Sequence, residues 1–283
     1  MNLTELEQRI EALAATPPEE PLPPDAESVV ATLIDALEQG SARSARRDAN
    51  AEWRAVPWVK RGILLAFRAG RLVEMGDNEG GTFSFLDKHT LPIRRFGRGD
   101  GVRVVPGGST VRRGAYLAPG VVCMPPMFVN IGAWIGRDTM IDSHALVGSC
   151  AQIGERVHLS AAAQIGGILE PVNAAPVIVE DDVVIGGNCG IYEGTVVRAR
   201  AVLASGTVLT RGTPVFDLVR ETVYRADSDH PLEIPEGAVV VPGARRVGRG
   251  WGAEHGLSLQ TPVIVKYRDD KTDLSTTLEG WLR

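Results

Sequence analysis

The chain is poor in the features that mark several large classes of protein. No apolar run among its 283 residues approaches the roughly 20 needed to cross a bilayer as a helix, and Met1–Pro18 has neither the basic start nor the apolar centre of a secretory signal. Basic residues are outnumbered, 30 against 35 acidic, and the net charge of -5 offers no basic stripe for a phosphate backbone. Nucleic acid and membrane are therefore not expected partners. There are three cysteines, Cys123, Cys150 and Cys189, odd in number and without a C-x-x-C spacing, so they read as reduced packing residues of a cytoplasmic protein. Histidine is scarce too. Only His144 and His158 fall within the coils described next, one short of a three-histidine metal site, and no metal is expected.

What the chain does have is a beat of six. Val111, Leu117, Cys123, Val129, Ile135, Ile141, Val147, Ile153, Leu159 and Ile165 keep it, and it resumes at Val179, Ile185, Ile191, Val197, Leu203, Leu209 and Val215. At 44% hydrophobic composition, seventeen such hits arise by chance about once in a million frames. A period of six is neither helical nor a plain alternation. It is the period of a parallel β-helix built from hexapeptides, in which three short strands make one coil, and the hexapeptide pattern is that of the left-handed form. The first residue of each hexapeptide points inward and its two neighbours outward. The fifth residue is often small or β-branched (Ala115, Ala133, Thr139, Ala145, Ala151, Thr195, Ala201), which suits a narrow corner. Gly114, Gly120, Asn188, Gly194, Gly206 and Gly212 stand where positive φ is needed.

Three segments follow from this pattern: a mainly helical domain over 1–101, a left-handed parallel β-helix over 102–250, and a short strand/helix cap over 251–283. In the first, Thr4 with Glu7 reads as a capping box, Asp25 as the cap of a second helix ended by Gly40, and Trp53–Phe67 as a third helical stretch. Within the coil the beat fails twice. From Ile165 to Val179 is fourteen residues, two beyond two hexapeptides, so 167–176 is a loop pushed out of the coil; a second excursion runs over 216–233 before the beat returns at Ile234 and Val240. Extruded loops on a rigid scaffold are natural places for ligand contacts. Pro262–Tyr267 reads as a strand and Leu274–Leu282 as a closing helix.

A parallel β-helix of this kind accommodates acyltransferases and scaffolds alike. Particular runs narrow the choice: Arg103-Val-Val-Pro106, Val129-Asn-Ile-Gly-Ala133, Asp142 followed by Val147-Gly-Ser-Cys-Ala-Gln-Ile-Gly154, Val157-His-Leu-Ser160 and Ile165-Gly-Gly-Ile-Leu-Glu-Pro171. On these the chain resembles the tetrahydrodipicolinate N-succinyltransferases, hexapeptide acyltransferases of lysine biosynthesis. The resemblance runs from the N-terminal helices to Val263-Ile-Val-Lys266. It implies succinyl transfer from succinyl-coenzyme A to the nitrogen of a cyclic imine dicarboxylate, with ring opening, in a homotrimer whose active sites lie between subunits. A related enzyme using acetyl-coenzyme A or another amino diacid is the alternative, and a non-catalytic scaffold a distant one.

The residues can be asked whether they suit that reaction. Arg103 matches the family's substrate-binding arginine, and a guanidinium fork fits a carboxylate; Asn130, in the Val129–Ala133 run, is a second substrate candidate. Arg112 and Arg113 read as surface. Asp142 follows inward Ile141 and so points outward, and it matches the family's catalytically required aspartate, as befits a base for an attacking amine. Family members often carry a further catalytic glutamate where this chain has Gly190, so Glu193 is the candidate second carboxylate. Outward His158 lies one coil above Asp142, but the resembling family does not assign its base there. Outward Trp134 and Phe128 are expected to cover a subunit interface. For coenzyme A the candidates are Gly166, Ala204 and Gly206 along the coils, with Lys266, Arg245 or Arg246 meeting the phosphates.

Overall fold

A computed structural model describes residues 1–75, 85–228 and 230–269. The six-residue beat becomes three stacks of two-residue parallel strands. Face 1 carries Arg103–Val104, Val122–Cys123, Met140–Ile141, His158–Leu159, Val184–Ile185 and Val202–Leu203. Face 2 carries Thr110–Val111, Phe128–Val129, Leu146–Val147, Gln164–Ile165, Gly190–Ile191 and Val208–Leu209. Face 3 carries Tyr116–Leu117, Trp134–Ile135, Gln152–Ile153, Ile178–Val179, Val196–Val197 and Glu233–Ile234. The chain visits the faces in rotation, and away from the two excursions each rung pairs with the one eighteen residues on, as Ile141 with Leu159 and Val147 with Ile165.

Strands this short hold little by themselves. The stacked interior does the holding: all seventeen beat residues are at most 4% exposed and join a single cluster. At roughly 1.5–3 kcal/mol for each fully buried aliphatic side chain, that column outweighs any ladder of two-residue strands. The corners turn through positive φ, at Gly114 and Gly206 as expected but also at His144 (+62°), Ala162 (+59°) and Glu193 (+55°), where stacking above and below holds a conformation glycine would adopt more cheaply. Gly212 does not adopt it.

Two readings of the beat change. Ile153 pairs with Val179, twenty-six residues on rather than eighteen, so the first excursion extrudes eight residues, not two. Val215 keeps the beat but leaves the coil: its strand, Val215–Asp217, pairs with Thr222–Tyr224 and with Ser258–Tyr267, while Val197 pairs directly with Ile234. The long hairpin of Ala238–Arg246 and Ser258–Tyr267 then extends face 1 beyond Val202–Leu203. Asp217, 2% exposed, locks this end by accepting from Tyr267 Oη at 2.6 Å and from the backbone of Val219 and Arg220. The expected helix over Leu274–Leu282 lies outside the described residues.

The N-terminal domain packs α1 (Leu3–Ala14), α2 (Ala26–Glu38) and α3 (Pro57–Ala69) around Leu6, Ile10, Leu33 and Ile63. Its caps differ from expectation. Asn2, not Thr4, makes the capping box with Glu5, and Asp25 makes no cap but takes a two-point fork from Arg9 at 2.6 and 2.7 Å. Trp53–Ala55 is no part of α3; it forms a hairpin with Ala45–Arg47, because Pro57 opens the helix. That hairpin lies on face 3, where Arg47, Trp53 and Arg198 all bond Glu180. It also corrects the reading of Trp134, which stacks on Tyr116 with Arg43 over its ring at 4.2 Å, so the chain's own segment covers it. The domain seats on the corner between faces 2 and 3 through Gly114, Ile131 and Cys150. Arg112 and Arg113 belong to this seam, pairing with Asp87 and with Asp35 and Glu38.

Candidate active site

The outward candidates fall on two different corners. Asp142 opens the turn from face 1 to face 2, half-buried, with Oδ1 accepting from Ser143 N at 2.7 Å and Oδ2 without a hydrogen bond among the described residues. Arg103 is exposed at the start of face 1, where it pairs with Val122, which pairs in turn with Met140. Two rungs at about 4.8 Å put roughly 10 Å of axial distance between Arg103 and the Asp142 rung, a span that two side chains can close around a small diacid. His158 sits on the next rung, beside Met140. Above Asp142 the same corner is built from small residues: Ser160, Ala161 and Ala162, then Gly186 and Gly187, then Ala204, Ser205 and Gly206. This run of small residues leads up the coil toward the hairpin that carries Arg245, Arg246 and Lys266, the last 3.4 Å from Asp269.

Asn130, Gly166 and Glu193 lie instead at the corner between faces 2 and 3. Asn130 turns its Oδ1 back to Ile131 N at 2.9 Å. Glu193 is exposed and accepts from Arg211 N at 2.7 Å on the next rung. Gly166 and Glu193 border a cleft of about 1000 Å³. Its walls are the extruded loop with Glu170 and Asn173, the Glu52–Arg54 edge of the hairpin, and Arg211, His230 and Glu233 from the upper coils. The loop is pinned from behind: Lys60 of α3, wholly buried, donates to Ala174 O at 2.6 Å, and Ile168 N donates to Ser149 O. Burial holds the Lys60 ammonium below its usual range. Asp142 and Glu193 are separated by one side of the coil and two rungs, on the order of 20 Å. One copy of the chain does not bring them together.

The family model described as tetrahydrodipicolinate N-succinyltransferase N-terminal matches residues 5–69, the three helices and the hairpin. A second, hexapeptide repeat of succinyl-transferase, matches 176–211, the rungs holding Gly190, Glu193, Ala204 and Gly206. A protein of Rhodopseudomonas palustris (strain BisA53) named 2,3,4,5-tetrahydropyridine-2,6-dicarboxylate N-succinyltransferase is 40% identical over 260 residues, covering 90% of this chain and 89% of its own. The chain belongs to that succinyltransferase family. Proteins of the same name from Bradyrhizobium diazoefficiens (strain JCM 10833 / BCRC 13528 / IAM 13628 / NBRC 14792 / USDA 110) and Polynucleobacter asymbioticus (strain DSM 18221 / CIP 109841 / QLW-P1DMWA-1) are 41% identical over 257 residues and 39% over 282. They cover 89% and 98% of this chain, and 88% and 97% of their own.

Succinyltransferase membership thus extends over both corners and the helical domain. Some residues at the cleft, and Lys60 behind its loop, had no signal in the sequence. Arg54 and Glu52 reach it only because the chain folds back as a hairpin before α3, and Lys60 reads as one more polar residue of an amphipathic helix. Tyr192 carried a faint signal. It follows inward Ile191, so its outward direction was readable, but nothing in the spacing said where its ring would lie.

Proposed function

We propose that this chain transfers the succinyl group of succinyl-coenzyme A to the nitrogen of tetrahydrodipicolinate. The observation that carries this is the whole-chain relationship, 40% identity over 90% of the chain with a protein of that name. The chemistry suits the residues. Water adds across the ring imine and the ring opens, freeing an amine; its nitrogen attacks the thioester carbonyl, the C–S bond breaks, and the nitrogen's proton passes to a base and on to the departing thiolate. The products are N-succinyl-2-amino-6-ketopimelate and coenzyme A. Asp142 is the base, outward and with one oxygen uncommitted. Arg103, on the same face, takes a substrate carboxylate, and Asn130 lies nearby in sequence on the other corner. The succinyl-coenzyme A arm runs along the small-residue corner past Ala204 and Gly206, adding backbone contacts like an extra strand, with its phosphates toward Lys266.

The separation of the two corners supports a site shared between subunits. In a homotrimer of left-handed coils, the Asp142 corner of one subunit faces the Glu193 and Gly166 corner of its neighbour, a single repeated contact that threefold symmetry closes. The reading includes a cytoplasmic location, in keeping with a biosynthetic use of a coenzyme A thioester; no described helix is long and apolar enough to cross a membrane. The test is thiol release with succinyl- and acetyl-coenzyme A against tetrahydrodipicolinate. Release with the succinyl donor supports the reading, release with acetyl alone replaces it by the acetyl-using alternative, and release with neither overturns it.

A further inference from the structure

We propose that Tyr192 is a substrate-contacting residue of this active site, its phenol hydroxyl donating a hydrogen bond to a substrate carboxylate. The proposal rests on the succinyltransferase reading and adds to it a residue and its ligand group. Tyr192 stands just beyond Ile191, beside Gly166 on the neighbouring rung, and its ring folds back along face 2 over Gly190. A Cβ built on Gly190 would lie 2.5 Å from Tyr192 Cε2 and 3.0 Å from Oη; one on Gly166 would lie 2.9 Å from Cδ1. Gly190 has no positive φ that would demand glycine. It is small because the ring occupies the space a side chain would fill, so positions 190 and 192 work as a pair.

The ring is thereby laid flat on two glycines at the wall of the 1000 Å³ cleft. A tyrosine packed for its apolar area alone gains nothing from its oxygen, and a buried hydroxyl normally finds a partner. Tyr192 Oη makes no hydrogen bond among the described residues, and the side chain is only half-buried, on the outer surface of face 2 beside the cleft that the residue borders. A neutral phenol is a donor that carboxylates accept; the cleft Tyr192 borders holds Arg54 and Arg211 but also Glu52, Glu170, Glu193 and Glu233, so what Tyr192 offers a carboxylate guest is a hydrogen-bond donor rather than net positive charge. The succinyl chain and the acceptor both carry carboxylates, so either can be the partner.

The test is Tyr192→Phe, which removes one oxygen and keeps the ring on its bed. Kinetics by thiol release are measured with each substrate varied in turn, beside calorimetric binding of succinyl-coenzyme A and of tetrahydrodipicolinate. The expected result is a loss of about 10- to 100-fold in kcat/KM and in affinity for one of the two, the range of a hydrogen bond to a charged group; which one identifies the carboxylate. Gly190→Ala, which displaces the ring, should cost the same parameter, and should cost little more once Tyr192 is Phe. Values for Tyr192→Phe within about twofold of wild type for both substrates overturn the proposal. Absent turnover by the wild type would sink the parent reading instead; the binding comparison then still decides Tyr192, and a wild type that binds neither substrate overturns both.

Discussion

Replacing Asp142 by Asn tests the proposed base with little else disturbed. The carboxamide keeps an oxygen for Ser143 N, so the 2.7 Å bond that shapes the turn survives. What changes is the other atom, now an amide nitrogen where an oxygen could take a proton. Loss of general base catalysis costs 10²–10⁴ in rate, about 2.7–5.5 kcal/mol of barrier at 1.36 kcal/mol per decade. The change in fold stability should be near zero by contrast, since the isostere spares the local bond. Asp142→Ala separates the two effects: it should lose the same activity and about 1 kcal/mol of stability as well. The measurements are kcat/KM by thiol release and the urea midpoint of each variant. A kcat/KM for Asp142→Asn within tenfold of wild type, with the midpoint unchanged, would refute the assignment of the base.

Other consequences are equally direct. Ile153→Ala, in the middle of the column and wholly buried, should cost 2–5 kcal/mol, read as a lowered urea midpoint at constant slope. All three thiols are buried, with Cys123 pushed up to about 12 and Cys150 to about 11, so a thiol reagent should label none in the native protein and three after denaturation. Lys60, lowered in the fold from near 10.4, binds fewer protons folded than unfolded as pH climbs toward that value; wild-type stability should therefore gain on that of Lys60→Met between neutral pH and about 10, as urea titrations at several pH values would show. Sedimentation should give about three times the 30.3 kDa chain mass.

The coil was legible because its code is redundant. Each inward residue repeats a decision already made eighteen residues earlier, so one polar intruder would not hide the beat. The features that failed to show are those stated once. Asn2 and Thr4 each stand three residues before a glutamate, and nothing local chooses between two such boxes; the structure chose Asn2. Fourteen residues from Ile165 to Val179 can be divided as two rungs and two extra residues, or as one rung and eight. Only the pairing of Ile153 with Val179 distinguishes them. Val215 shows the opposite limit, a residue in step with the beat whose strand has already turned away to the closing hairpin.

The site was legible in direction but not in grouping. Alternation places Asp142, Glu193 and Tyr192 on the outside, because each directly follows an inward residue or lies in the turn after one. Which of them meet depends on the corner each occupies, and that is a count of rungs through an interruption of unknown length. With eight residues extruded, Gly166 and Glu193 fall on one corner while Asp142, Ala204 and Gly206 fall on another. The two groups are the two halves of one proposed site, separated in each chain by a whole side of the coil. If a neighbouring copy joins them, wild-type activity should fall on dilution below the concentration at which the assembly dissociates, with kcat lost as subunits separate. Activity proportional to chain concentration through that dissociation would place the whole site within one chain, and the division between corners would then have to be read differently.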